Sequence, residues 1–174
     1  KNVPNMFNEN DEVVITRKIH GTNARYGIVK KSKLSVLDRI KKFFGNKWIE
    51  YEYVYGSHNV EKGSDSQGFY STDVWKEVAD KYDIKNKLWD RLKRLDIPVN
   101  YIVYGEIYGD GIQGEKYNYG LKTKELSLFD IKMEDDYLTH SMFFVEANQL
   151  LNIPVVQDLH YGKWSKEIQD SFLV

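Results

Sequence analysis

Strand-like and helix-like periodicities follow one another along this chain in the order β-β-α-β-α-α-β-β-α-β-α, which constrains its fold more than any other feature. That order is neither the strict alternation that builds a parallel sheet nor an unbroken series of strands. It specifies an α+β fold with antiparallel pairing. Val13 to Ile19 (VVITRKI) and Asn23 to Lys30 (NARYGIVK) read as two strands joined tightly through His20, Gly21 and Thr22, a hairpin with glycine in its turn. Trp48 to Tyr55, Asn100 to Tyr108 (NYIVYGEIY), Glu125 to Met133 (ELSLFDIKM) and the later PVVQDLHY continue the strand series. Helical spacing marks Asp73 to Lys81, Ile84 to Leu95, residues 139–151 and the terminal KWSKEIQDSFLV. No internal repeat or linker divides the 174 residues, so a single domain is expected.

The absence of cysteine excludes disulfide staples and thiolate metal sites, which leaves a hard cation on oxygen ligands as the metal partner to expect. There is no apolar run of bilayer-spanning length and no signal-peptide pattern in the polar KNVPNMFNEND start, so a soluble, cytoplasmic protein without membrane partners is expected. A net charge of −1 conceals an uneven distribution. Residues 30–47 carry seven Lys/Arg against Asp38 alone, about +6, and the remainder carries about −7. Within that window Leu34, Leu37, Ile40 and Phe44 recur at helical spacing, giving a short basic amphipathic helix over 34–44 with Gly45 as its stop. Either its apolar stripe packs on the sheet with the lysines in water, or the helix lies along a nucleic-acid backbone. Thirteen tyrosines and eight phenylalanines fit strand packing first and base stacking second.

Gly109-Asp110-Gly111-Ile112-Gln113-Gly114 matches G-x-G-x-x-G and follows a strand, with Asp130 further on. A dinucleotide fingerprint needs a helix N-terminus directly after the glycines to hold the pyrophosphate, and EKYNYGLKTK has no apolar face at helical period. These glycines instead shape a loop beside Glu106.

Lys18 ends an apolar strand-like run with Arg17 beside it, surroundings suited to a nucleophilic lysine. Lys18-Ile19-His20-Gly21-Thr22-Asn23 resembles the first nucleotidyltransferase motif of ATP-dependent RNA ligases, in the form used by the bacteriophage RNA ligase 2 group. Gly56-Ser57-His58-Asn59, Tyr104-Gly105-Glu106-Ile107-Tyr108-Gly109 and Leu128-Phe129-Asp130-Ile131 resemble the next motifs in order. The GSHN form and the extended VYGEIYGDGIQ are most similar to the nick-sealing branch that carries an N-terminal OB domain.

The resemblance implies an antiparallel-sheet adenylyltransferase domain that joins RNA 3′-hydroxyl and 5′-phosphate ends or nicks. On this reading Lys18 becomes covalently attached to AMP, with ATP and Mg2+ or Mn2+ as cofactors. Arg17, Ile19, Gly21, Asn23, Glu106 and Phe129 would bind the nucleotide, Glu106 at the ribose and Phe129 against the adenine. Thr22, His58 and Asn59 would meet phosphate or the RNA end, and His20 and Asp130 would support them. The metal's protein contacts are not assigned. Family members carry two later motifs, a glutamate-glycine before an apolar strand and a Lys-x-Lys; nothing after Phe129 matches either. The Lys-x-Lys triplets at 31–33, 85–87 and 122–124 all precede it. Residues 1–174 therefore read as one partial domain, incomplete on its C-terminal side. Two other readings stay open, a capping-type or DNA-ligase nucleotidyltransferase and a non-catalytic nucleotide- or RNA-binding module.

Overall fold

A computed structural model describes residues 7–43, 45–57, 60–61, 73–114 and 117–172. His58 and Asn59, expected to contact an RNA end, lie outside the described residues. The chain divides into two compact units, one made of the residues up to Lys18 with those from Val156 on, the other running from Ile19 to Val155.

The larger unit is built on a six-stranded, wholly antiparallel sheet. Its strands are β2 (Thr22–Lys30), β3 (Tyr51–Ser57), β4 (Val60–Glu61), β5 (Tyr101–Gly109), β6 (Lys124–Met133) and β7 (Asp136–Tyr137), in the order β4-β3-β2-β5-β6-β7. Along β5 buried and half-buried residues alternate without exception, the pattern of a strand with one face on a core. That core is Tyr26, Ile28, Tyr101, Val103, Ile107, Leu126, Leu128 and Ile131 from the sheet. Against it pack α2 (Val74–Lys81) and α3 (Ile84–Leu95), which contribute Val74, Trp75, Val78, Ile84, Leu88 and Leu92. Asp73 caps α2 by accepting from the Lys76 N–H at 3.1 Å.

Beyond these helices, α4 (His140–Phe144) runs on into a π turn, Val145–Leu150, marked by a Leu151 N–H to Glu146 C=O bond of 2.9 Å. The turn keeps Glu146 buried, where it accepts from Arg91 Nε at 2.6 Å and Nη2 at 2.9 Å and from the Tyr101 hydroxyl at 2.7 Å. A buried carboxylate is tolerable only when paired and hydrogen-bonded in this way.

The smaller unit holds β1 (Glu12–Thr16) antiparallel to β8 (Asp158–Lys163), with Val14 opposite Tyr161. Main-chain bonds between Asn10, Asp11 and Trp164 close one end, and Arg17 N–H donates to the Gln157 carbonyl at 2.8 Å at the other. Ser165 caps α5 (Lys166–Ser171) through the Ile168 N–H.

The strand expected over Trp48 to Tyr55 starts only at Tyr51, after a 3-10 turn over Lys47–Glu50. Two further expectations are corrected, and one open alternative is narrowed. β1 and β2 do not form a hairpin: β1 pairs with β8, and β2 lies between β3 and β5, because residues 17–20 leave extended pairing before β2 begins. PVVQDLHY is not one strand; Val155 bridges Leu128 in parallel, and a separate strand starts at Asp158. The basic helix exists as α1 (Val36–Phe43), opened by reciprocal Ser35 and Asp38 bonds, but its stripe is not packed on the sheet. Leu37 is 68% exposed and Ile40 51%.

Candidate active site

Gly21 opens the site, and its role is one of space. A Cβ there would stand 2.1 Å from the Ile107 carbonyl oxygen and 3.0 Å from Glu106 Cγ, so only glycine lets the entry to β2 lie this close against β5. Thr22 and Asn23 follow directly, opposite Ile107 and Glu106. Trp75 of α2 donates its indole N–H to the Asn23 carbonyl at 3.0 Å, fixing that backbone from the helix side.

Residues directly opposite in an antiparallel pair share a face. Asn23, Glu106 and Ser127 therefore form one cross-strand row, and Arg25, Tyr104 and Asp130 form the next. The face they share is the one turned from the core. Between the rows the β5–β6 register slips: Gly105 faces Leu128 while Tyr104 faces Asp130, leaving Phe129 as the extra residue of a β-bulge. Phe129 is 41% exposed, unlike its neighbours Leu128 and Ile131 in the core. Burial raises the Asp130 carboxyl above its ordinary range, partly offset by the bond it accepts from Ile131 N–H at 2.9 Å. Burial also raises the Tyr104 phenol, helped by the neighbouring Tyr137 hydroxyl. Past Arg25 the same face continues into a shallow cavity of about 150 Å3 lined by Gly27, Val29, Val54 and Ile102.

The loop after β5 closes on the start of the site. Gly109 leaves the strand at φ +100°, and a Cβ on it would meet the Thr123 carbonyl oxygen at 2.3 Å. The dismissed glycine run indeed forms turns, with no α-helix among the described residues between Gly109 and Lys124. From this loop Tyr119 Oη accepts the His20 N–H at 2.8 Å, and Gln113 Nε2 donates to the Gly21 carbonyl at 3.1 Å. The Tyr117 ring lies 5.3 Å from the His20 imidazole, and Tyr119 meets Tyr108 edge-on at 5.5 Å.

Chemically, a carboxylate and a carboxamide side by side accept and donate to a vicinal diol, and an exposed aromatic beside them offers a stacking surface. Of the residues singled out from sequence, the larger unit brings Gly21, Thr22, Asn23 and Glu106 together and sets Phe129 and Asp130 on the adjoining strand. Ile19 is half-buried and His20 exposed at the entry to β2. Arg17 and Lys18 are exposed and end the first segment of the smaller unit, Lys18 joined to Ile19 by one peptide bond. Among the described residues no group of three or more His, Asp or Glu side chains is placed to hold a metal ion. No helix of the described residues is long and apolar enough to cross a membrane.

A model of the RNA ligase family matches residues 11–173. The chain belongs to the RNA ligase family. No curated protein sequence matches it significantly. Solved structures of Naegleria gruberi RNA ligase resemble it in fold. A mutant with ATP and Mn has a TM-score of 0.62 at 19% identity, covering 90% of this chain and 39% of that one. Another mutant with ATP and Mn gives 0.61 at 18%, covering 91% and 39%, and a mutant with AMP and Mn gives 0.59 at 18%, covering 90% and 39%. The chain thus spans about two fifths of the length of these ligases.

Sequence reasoning gave no role to Arg25, Tyr104, Gln113, Tyr117 and Tyr119. Arg25 was within reach, since two residues after Asn23 on a strand is the same face. The loop contacts join residues 92 and 99 positions apart, which periodicity does not report.

Proposed function

We propose that this RNA ligase family chain serves an ATP-dependent RNA ligase that works through a lysyl-AMP intermediate at Lys18. The observation that carries the reading is the register of β2 on β5, which sets Asn23 of the first motif directly opposite Glu106 of the third. The residues fit a nucleotide. Gly21 lets the entry to β2 pack against β5 beside Glu106, Glu106 offers a carboxylate for ribose hydroxyls, and Phe129 stands exposed on its bulge for the adenine.

On this reading the neutral Nζ of Lys18 attacks the α-phosphorus of ATP. The P–N bond forms as the bond to the bridging oxygen breaks, pyrophosphate leaves with the electron pair, and the lysine proton passes to solvent. A 5′-phosphate oxygen of RNA then attacks the adenylyl phosphorus as the P–N bond breaks, and Lys18 leaves as an amine that regains a proton. A 3′-hydroxyl next attacks the phosphorus of that RNA 5′-phosphate, loses its proton to solvent, expels AMP and seals the strand. Each step demands alignment and charge neutralisation more than acid–base work. Charge neutralisation would be supplied by Mg2+ or Mn2+ bound together with the ATP phosphates. The Naegleria ligase mutants with ATP, AMP and Mn support this choice of cofactors. Arg17, Ile19, Thr22 and Asn23 would line the sugar–phosphate path, with His20 and Asp130 in support and His58 and Asn59 at the RNA end. We assign the protein to the cytoplasm as part of this reading.

The test is a nicked RNA duplex with 3′-hydroxyl and 5′-phosphate ends, incubated with the chain, ATP and Mn2+. A sealed strand or an adenylated 5′ end, absent with Lys18→Ala, is expected. Nucleotide and RNA binding without either product would favour the non-catalytic module instead.

A further inference from the structure

His20 and Gly21 sit two and three residues after Lys18, and both of their outward main-chain groups are bonded by side chains from one distant loop. Tyr119 Oη accepts the His20 N–H at 2.8 Å and Gln113 Nε2 donates to the Gly21 C=O at 3.1 Å. The same dipeptide is backed on a third side by the Ile107 carbonyl, against which Gly21 packs without room for a Cβ. Tyr119 is in turn held edge-on by Tyr108 of β5, two residues from Glu106.

Gln113 and Tyr119 reach these bonds from left-handed backbone, φ +55° at each, a region that residues with a Cβ enter only at a cost. Glycines at 111, 114 and 120 bend the loop in the same sense. Two strained non-glycine residues in one loop, each spending its side chain on one main-chain group of the same dipeptide, are not explained by core packing, since both are exposed.

We infer that Gln113 and Tyr119 are positioning residues: they lock the backbone of His20 and Gly21, the dipeptide that follows Lys18 and Ile19 into β2. This rests on the lysyl-AMP reading above and adds to it the loop that stiffens the main chain directly after the nucleophile. Displacing a reacting group by a fraction of an ångström slows chemistry far more than it weakens binding.

The test compares the full chain with Tyr119→Phe, which deletes one hydroxyl and keeps the ring against Tyr108, and with Gln113→Ala. Single-turnover formation of the AMP adduct is followed against ATP concentration with Mn2+, alongside thermal melting and hydrogen exchange at the His20 amide. The rate at saturating ATP is expected to fall about tenfold or more in each variant, with half-saturation and melting temperature little changed. The His20 amide should exchange faster in Tyr119→Phe. Wild-type rates in both variants would overturn the inference, as would a fall in rate matched by an equal loss of ATP affinity or of stability. Should the wild-type chain form no adduct, the lysyl-AMP reading fails and the positioning role fails with it; the His20 exchange data would then report the loop contact alone.

Discussion

Gly21 illustrates how one residue of a motif can be fixed by packing. The sequence suggests a glycine for a tight turn, yet its value lies in the 2.1 Å that a Cβ would leave to the Ile107 carbonyl oxygen. The obstacle is main chain in a central strand and has no side chain to swing aside. Gly21→Ala should therefore push β2 from β5 and cost about 2 to 3 kcal/mol of stability, the scale of overpacking. Urea unfolding measures it, and an unchanged midpoint would contradict the close approach. Asn23 and Glu106 lie at this same junction, so the variant should also lose nucleotide binding.

β6 shows what an element adds to its residues. Its bulge turns LSLFDI from a simple alternation into a strand whose Leu128 and Ile131 enter the core while Phe129 stands out. At the start of the same strand, Glu125 ties β6 to the α2–α3 junction, accepting from Lys81 Nζ at 2.6 Å, Tyr82 Oη at 2.5 Å and Thr123 Oγ1 at 2.6 Å. Burial pushes its carboxyl up, but these three bonds outweigh burial and hold it down at about 2. Because the folded value lies below the unfolded one of 4.5, the stabilisation is whole above about pH 4.5 and lost as pH falls through about 2. It amounts to about 2 to 3 kcal/mol. Glu125→Gln should be less stable than wild type near neutrality, and the gap should narrow on acidification. A gap constant with pH would show that the depressed carboxyl plays no part.

At the scale of the molecule, what could be read in advance was local. The strands at 101–109 and 124–133 and the helices at 74–81 and 84–95 carry strong periods and fall within a residue of expectation. Pairing was not legible, because β1 finds β8 across most of the chain, and no turn residue between β1 and β2 records that. The two-residue strands β4 and β7 are too short to show a period. α1 was legible as a helix, but its amphipathic stripe did not imply burial. In the site, the motif residues on β2, β5 and β6 could be named from resemblance, while Gln113 and Tyr119 act through contacts that only the folded loop creates.

Whether Lys18 accepts AMP is read from intact-protein mass after incubation with ATP and Mn2+, followed by peptide mapping. One added AMP on the peptide holding Lys18, absent from Lys18→Ala and removed by added pyrophosphate, is the expected result. An unmodified wild-type chain that still binds ATP, or an AMP mapped to any other lysine, would contradict it.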